Sequence, residues 1–153
     1  MFGSPYTASK IFFHDLKILE WPGVTQIRDG VAIDRDSERA VDKFKYDFET
    51  VSPSSTFDME IWLENPSDND LGLACIGMNE FLSGIAYIGG NRSRGLGNCI
   101  ISNLCIYKLD LTGKDKEEQL KKYITNTKYT EKMNVIEDPE QFINDQIEKI
   151  LGG

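Results

Sequence analysis

Four glycines and two arginines fall within nine consecutive residues, Gly89-Gly90-Asn91-Arg92-Ser93-Arg94-Gly95-Leu96-Gly97. Glycine lets the backbone take positive φ and lets a second backbone come close. Arginine offers a rigid fork of donors suited to phosphate oxygens, and backbone N–H groups in such a turn form an anion-binding concavity. Arg92 and Arg94 are also the only basic residues between Lys45 and Lys108. The chemistry on offer is anion binding. It is neither a dinucleotide fingerprint nor a P-loop. Both of those run from a strand into a helix, whereas this loop leaves a helical pattern and enters an extended one. The lysine–hydroxyl pair of the P-loop is missing as well. A glycine-rich helix stop carrying ordinary surface arginines explains the same composition, and both readings stand at this point.

The other chemistry-bearing residues have plainer readings. His14 is the only histidine, and it shares an alternating face with Phe12, Leu16 and Ile18, so a buried, hydrogen-bonded histidine is expected rather than an acid–base group. Asp29, Asp34, Asp36, Glu38 and Asp42 are interleaved with Arg28, Arg35, Arg39 and Lys43, which describes a solvated mixed-charge surface rather than a metal site. Phe44, Tyr46 and Phe48 recur at period two. Such residues offer nucleobases a stacking platform, but one half of a hydrophobic core is the preferred reading. Cys75, Cys99 and Cys105 form no C-x-x-C pair and are read as core residues in a reducing cytoplasm, not as a disulfide framework or zinc site.

The elements that must position these groups follow from periodicity. Strands are expected over Lys10–Leu19, Val24–Ile33, Lys43–Val51, Thr56–Glu64 and Asn98–Leu109, with the charged segment 34–43 as an exposed hairpin end. Asn65-Pro66-Ser67-Asp68 supplies a cap. A helix then follows through Leu71, Ala74, Cys75, Met78, Phe81, Leu82 and Ile85, ending at Gly89-Gly90. Beyond Thr112-Gly113, seven lysines face nine acids. Two short amphipathic helices are expected there, the second entered through Asp138-Pro139-Glu140. The domains are thus a core over 1–113 and a helical extension over 114–153. Strands with helices to one side make an α+β protein.

Composition bounds the function. The chain has 153 residues, 40% hydrophobic and 27% charged, with a net charge of −8; one globular domain fits and disorder does not. Such an acidic balance excludes a free-standing coat for nucleic acid, so an anionic partner must be held by a local cluster or with help from other chains. The apolar stretch Leu71–Ile88 carries Asn79, Glu80 and Ser83 and reads as a core helix, so no membrane is expected. No secretory signal opens the chain. A cytoplasmic protein is expected.

The loop Gly89–Gly97 after an apolar helix closely resembles the glycine-rich loop of the repeat-associated mysterious protein (RAMP) superfamily of CRISPR effector complexes. The stretch Ile27-Arg28-Asp29-Gly30-Val31-Ala32-Ile33-Asp34-Arg35, followed by Phe44-Lys45-Tyr46-Asp47-Phe48-Glu49, resembles the hairpin of that family's type III backbone subunits. The likeness extends over about residues 2 to 111. It implies a ferredoxin-like, RNA-recognition-like antiparallel sheet with a protruding hairpin, or thumb, over about 24–51. The family's first strand and helix are missing from this sequence, so the unit is incomplete at its N-terminus.

The function implied is that of an RNA-binding subunit holding guide RNA within a type III interference complex in antiviral defence. Its partners would be guide RNA, target RNA and the complex's other subunits. The resemblance places guide phosphates on Gly89, Gly90, Asn91, Arg92, Ser93, Arg94 and Gly95, with Arg28, Arg35 and Arg39 as thumb contacts. No catalytic residue and no cofactor are expected, magnesium entering only if the assembled complex cleaves RNA. The alternatives are a target-RNA endonuclease whose aspartate lies outside this chain, and a structural interaction module that binds no RNA.

Overall fold

The computed structural model describes residues 1–33, 35–36, 38 and 40–152, with the backbone alone described at 32, 40–45 and 129. The chain is an α+β protein of two compact units, Met1–Glu64 and Asn65–Gly153.

The first unit is one interrupted antiparallel ribbon. Going out, it runs through β1 (Ile11–Phe13), β2 (Lys17–Glu20) and β3 (Gln26–Ile33). It returns through β4 (Ala40–Thr50), β5 (Thr56–Asp58) and β6 (Ile61–Leu63). The pairs are nested, β3 with β4, β2 with β5 and β1 with β6. Among the described residues no pairing joins them into a wider sheet. The expected strand Lys10–Leu19 is broken at His14–Leu16, and Thr56–Glu64 is broken at Met59–Glu60. The ribbon stays joined across these breaks, since His14 N–H donates to the Glu60 carbonyl at 3.1 Å. At the next joint Ser52 Oγ donates to the Val24 carbonyl at 2.8 Å.

This ribbon corrects two expectations. His14 is exposed rather than buried, with its ring centroid 6.5 Å from that of Trp62. Phe12, Leu16 and Ile18 are exposed with it. Alternation sets which side chains share a face, but burial needs a second layer, and a two-stranded ribbon supplies none of its own. Among the described residues of this unit, Ile11 is the buried apolar one.

The second unit begins with α1 (Asp68–Leu82), opened by a capping box at the expected place. Asp70 N–H donates to Ser67 Oγ at 3.2 Å, and Ser67 N–H donates to Asp70 Oδ2 at 3.0 Å. These two bonds satisfy donors the helix leaves orphaned. The helix stops at Leu82, well before Gly89. Gly84 takes φ +70°, its N–H donates to the Phe81 carbonyl, and Ile85 N–H donates to the Glu80 carbonyl at 3.0 Å. That is a Schellman stop.

Further on lie α2 (Lys116–Thr125), α3 (Tyr129–Lys132) and α4 (Pro139–Leu151), where two helices were expected. Asp138 caps α4, accepting from Gln141 N–H at 2.9 Å. Helices α1 and α4 pack together at Gly72, where an added Cβ would overlap Ile150 Cδ1 and come within 3.1 Å of the Gln146 carbonyl oxygen. Ile143, on α4, is 2% exposed and the most deeply buried large side chain among the described residues. Lys122 Nζ fastens α2 to the chain that follows α3, donating to the Met133 carbonyl at 3.2 Å and Asn134 Oδ1 at 3.1 Å.

The expected strand Asn98–Leu109 survives only as a bridge between Tyr87 and Asn98, and as the pair β7 (Tyr107–Lys108) with β8 (Asn134–Val135). Asn103 at φ +56° interrupts it, because a left-handed residue cannot continue an extended run. Of the cysteines, only Cys75 is buried, and burial pushes its thiol pKa up. Cys99 is half-buried and Cys105 exposed, so the core reading fits one of the three.

Candidate nucleic-acid interface

The glycine loop is a closed excursion on a short extended stem. Ile88 N–H donates to the Gly97 carbonyl at 2.8 Å, and Cys99 N–H donates to the Ala86 carbonyl at 3.3 Å. Asn98 Nδ2 donates to the Gly84 carbonyl at 2.8 Å, tying the stem to the helix stop. Gly97 closes the neck. Its φ is +80°, and a Cβ there would overlap the Ile88 carbonyl oxygen, so close backbone approach and left-handed geometry both require glycine.

Between the two strands of the stem, Arg92–Arg94 form a single 3₁₀ turn flanked by Asn91 and Gly95, both left-handed. Arg94, Gly95 and Leu96 turn their N–H groups back onto the carbonyls of Asn91 and Arg92. Residues 89–95 are all exposed, and an added Cβ at Gly89, Gly90 or Gly95 would meet only open space. The Arg92 guanidinium lies over the Tyr87 ring, 5.2 Å from its centroid. This contact steadies the side chain while its charge stays at the surface. Residues 81–109 contain Arg92, Arg94 and Lys108 and no Asp or Glu, so in an acidic chain the loop is a local island of positive charge.

The helix has its own stop at Gly84, so Gly89 and Gly90 do not terminate it, and that explanation of the loop loses its premise. Of the predicted residues, Gly89, Gly90, Asn91, Arg92, Ser93, Arg94 and Gly95 are brought together in the loop of the second unit. Arg28 and Arg35 belong to the hairpin of the first unit and are exposed there. Arg39 lies outside the described residues, as does Asp34. Among the described residues, no group of three or more His, Cys, Asp or Glu side chains could hold a metal ion. No helix among them is long and apolar enough to cross a membrane.

Sequence reasoning missed Tyr87 and undervalued Gly97. An aromatic residue five positions before an arginine was the available signal for the first. For the second it was a glycine opposite the end of an apolar run. The hairpin aromatics differ from expectation as well. Tyr46 is 43% exposed and stacks on Phe48, with ring centroids 6.2 Å apart and planes at 27°, whereas Phe44's side chain lies outside the described residues. A ribbon without a covering layer leaves Tyr46 in solvent instead of in a core.

A family model described as the RAMP superfamily matches residues 1–100. No curated protein matches the chain.

Proposed function

Since the chain belongs to the RAMP superfamily, we propose that it is a CRISPR-associated subunit that holds guide RNA by its glycine loop within a type III interference complex. The observation that carries this reading is the exposed Gly89–Gly95 loop, with two arginines on a turn fixed at its neck and no carboxylate from residue 81 to 109. Arginine forks beside open backbone suit a phosphate chain, because the anion meets donors without a side-chain barrier. The ribbon and α1 correspond to the central hairpin and second helix of a ferredoxin-like unit. Exposed Ile18, Val24, Ile27 and Ile33 on the ribbon suit a subunit that is covered by others in an assembly. The hairpin β3–β4 is then the thumb, and Arg28, Arg35 and Arg39 are its contacts to guide or target RNA.

The test is anisotropy of a labelled single-stranded RNA titrated at several salt concentrations, with wild type against Arg92→Ala/Arg94→Ala. Each lost phosphate contact flattens the log–log salt slope by about 0.7, so the double variant is expected to lose about 1.4 and to bind more weakly. Equal slopes for the two proteins would remove the loop from the RNA interface. Arg92→Lys serves as a control: it keeps the charge and is expected to keep most of the slope.

A further inference from the structure

Tyr87 and Arg92 lie on either side of the loop's neck. Tyr87 stands on the stem, where it forms the bridge to Asn98. Asn98 is itself fastened by its side-chain amide to the Gly84 carbonyl at 2.8 Å, and the bond from Ile88 N–H to the Gly97 carbonyl closes the neck at 2.8 Å. The root of the ring is therefore fixed by backbone pairing. Arg92 opens the 3₁₀ turn at the loop's apex. Its side chain folds back, so that the guanidinium carbon sits 5.2 Å from the Tyr87 centroid.

A ring face attracts the cation but offers its N–H groups no lone-pair acceptor. Among the described residues, no carboxylate, carbonyl or hydroxyl accepts from the Arg92 guanidinium. The contact thus restrains a side chain that would otherwise sample many rotamers, while its donors remain to be matched by a ligand. Residues 81–109 hold no Asp or Glu, so no acid in this stretch of chain competes for them. A planar fork pairs best with two oxygens of one group, as a phosphate presents them.

We propose that Tyr87 is a positioning residue for RNA: its ring pre-orders Arg92, so that the guanidinium is already placed for one backbone phosphate. This rests on the glycine-loop reading above and deepens it, naming a residue that acts through another. Immobilising a long side chain on binding costs affinity, and ordering it beforehand removes part of that cost. The two quantities that an RNA titration reports then separate. The salt slope counts phosphates neutralised and follows the charge of Arg92. The affinity also depends on how far Arg92 is ordered before RNA arrives. The ring and not the hydroxyl is what this role needs.

The experiment titrates the full chain into a labelled single-stranded RNA by anisotropy at several salt concentrations. Tyr87→Leu and Tyr87→Phe are made both alone and beside Arg92→Ala. Tyr87→Phe alone is expected to bind as wild type does. Tyr87→Leu alone is expected to bind about twofold to tenfold more weakly with an unchanged salt slope. Beside Arg92→Ala, Tyr87→Leu is expected to cause no further loss, because the two residues act as one unit. An equal loss in both backgrounds overturns the role, since the ring would then act on RNA or on the stem directly. No loss in either background overturns it too. A second readout needs neither RNA nor a variant. In the free wild-type chain the Arg92 side-chain protons should show an upfield ring-current shift by NMR, and random-coil positions for them would overturn the pre-ordering. If Tyr87→Leu binds like wild type while Arg92→Ala/Arg94→Ala still flattens the slope, the glycine-loop reading stands without Tyr87. If the wild-type chain leaves the RNA unbound, both fall.

Discussion

Replacing Ile143 by alanine is expected to cost about 2–5 kcal/mol of stability, the largest loss from any single side-chain truncation in the second unit. Ile143 is 2% exposed and shares a face of α4 with Ile147 and Ile150, the face that meets α1 at Gly72. The backbones run too close at Gly72 for neighbouring side chains to swing in and fill a hole. The cavity therefore persists and its cost adds to the lost transfer energy. Melting followed by helical circular dichroism should fall by on the order of 10–30 °C. Ile143→Val, which removes one methylene, should cost only about 0.5–1.5 kcal/mol. A loss below about 1 kcal/mol for the alanine variant would mean that the α1–α4 contact is not the core of this unit.

Gly97→Ala is the second large effect, and it separates shape from charge. The new methyl meets the Ile88 carbonyl oxygen, and alanine must also hold φ near +80°. Relief would require breaking the 2.8 Å bond from Ile88 N–H to the Gly97 carbonyl, which closes the loop's neck. Strain and lost pairing together should cost roughly 2–4 kcal/mol. RNA affinity and salt slope should drop towards those of Arg92→Ala/Arg94→Ala although both arginines remain. Gly90→Ala is the matched control, because its Cβ would point into open space, and it should stay within about 0.5 kcal/mol of wild type. Equal behaviour of the two alanine variants would show that the neck does not hold the arginines in place.

What the sequence made legible was chemistry that acts locally. Asn65-Pro66-Ser67-Asp68 announces its helix because a stop and a cap fall within four residues, and Asp138-Pro139 does the same for α4. The returning strand of the hairpin is visible because Phe44, Tyr46, Phe48 and Thr50 keep a clean period of two, whereas the alternation over Val24–Ile33 is weak. The arginines between glycines mark the loop without any tertiary knowledge. The misreadings of burial share one cause: whether a face is covered depends on a layer that the residues themselves do not encode. His14, Phe12 and Tyr46 have the spacing of core residues, yet they stand exposed because the strands pair two by two. The helix end was misplaced for a different reason. Gly84 and Gly89 are both adequate stops, and only the bonds from Gly84 and Ile85 back to Phe81 and Glu80 choose between them.

The nesting of the ribbon also dictates an order of assembly. Joining β1 to β6 directly would mean closing a loop of nearly the whole unit, and closure entropy rises with the length of chain enclosed. Once β3 and β4 have paired across their short turn, β2 and β5 are already side by side. Only the joints at Trp21–Thr25 and Val51–Ser55 remain to be spanned. Pairing then proceeds like a zip, from the hairpin turn outward, and the short β1–β6 rung that holds Ile11 closes last. The same rung is the first to open. Amide exchange should register this as faster loss of protection at Ile11–Phe13 and Ile61–Leu63 than along the middle of β3 and β4. The ribbon thus frays at the end where the chain enters and leaves it, while the hairpin that carries Arg28 and Tyr46 keeps its shape.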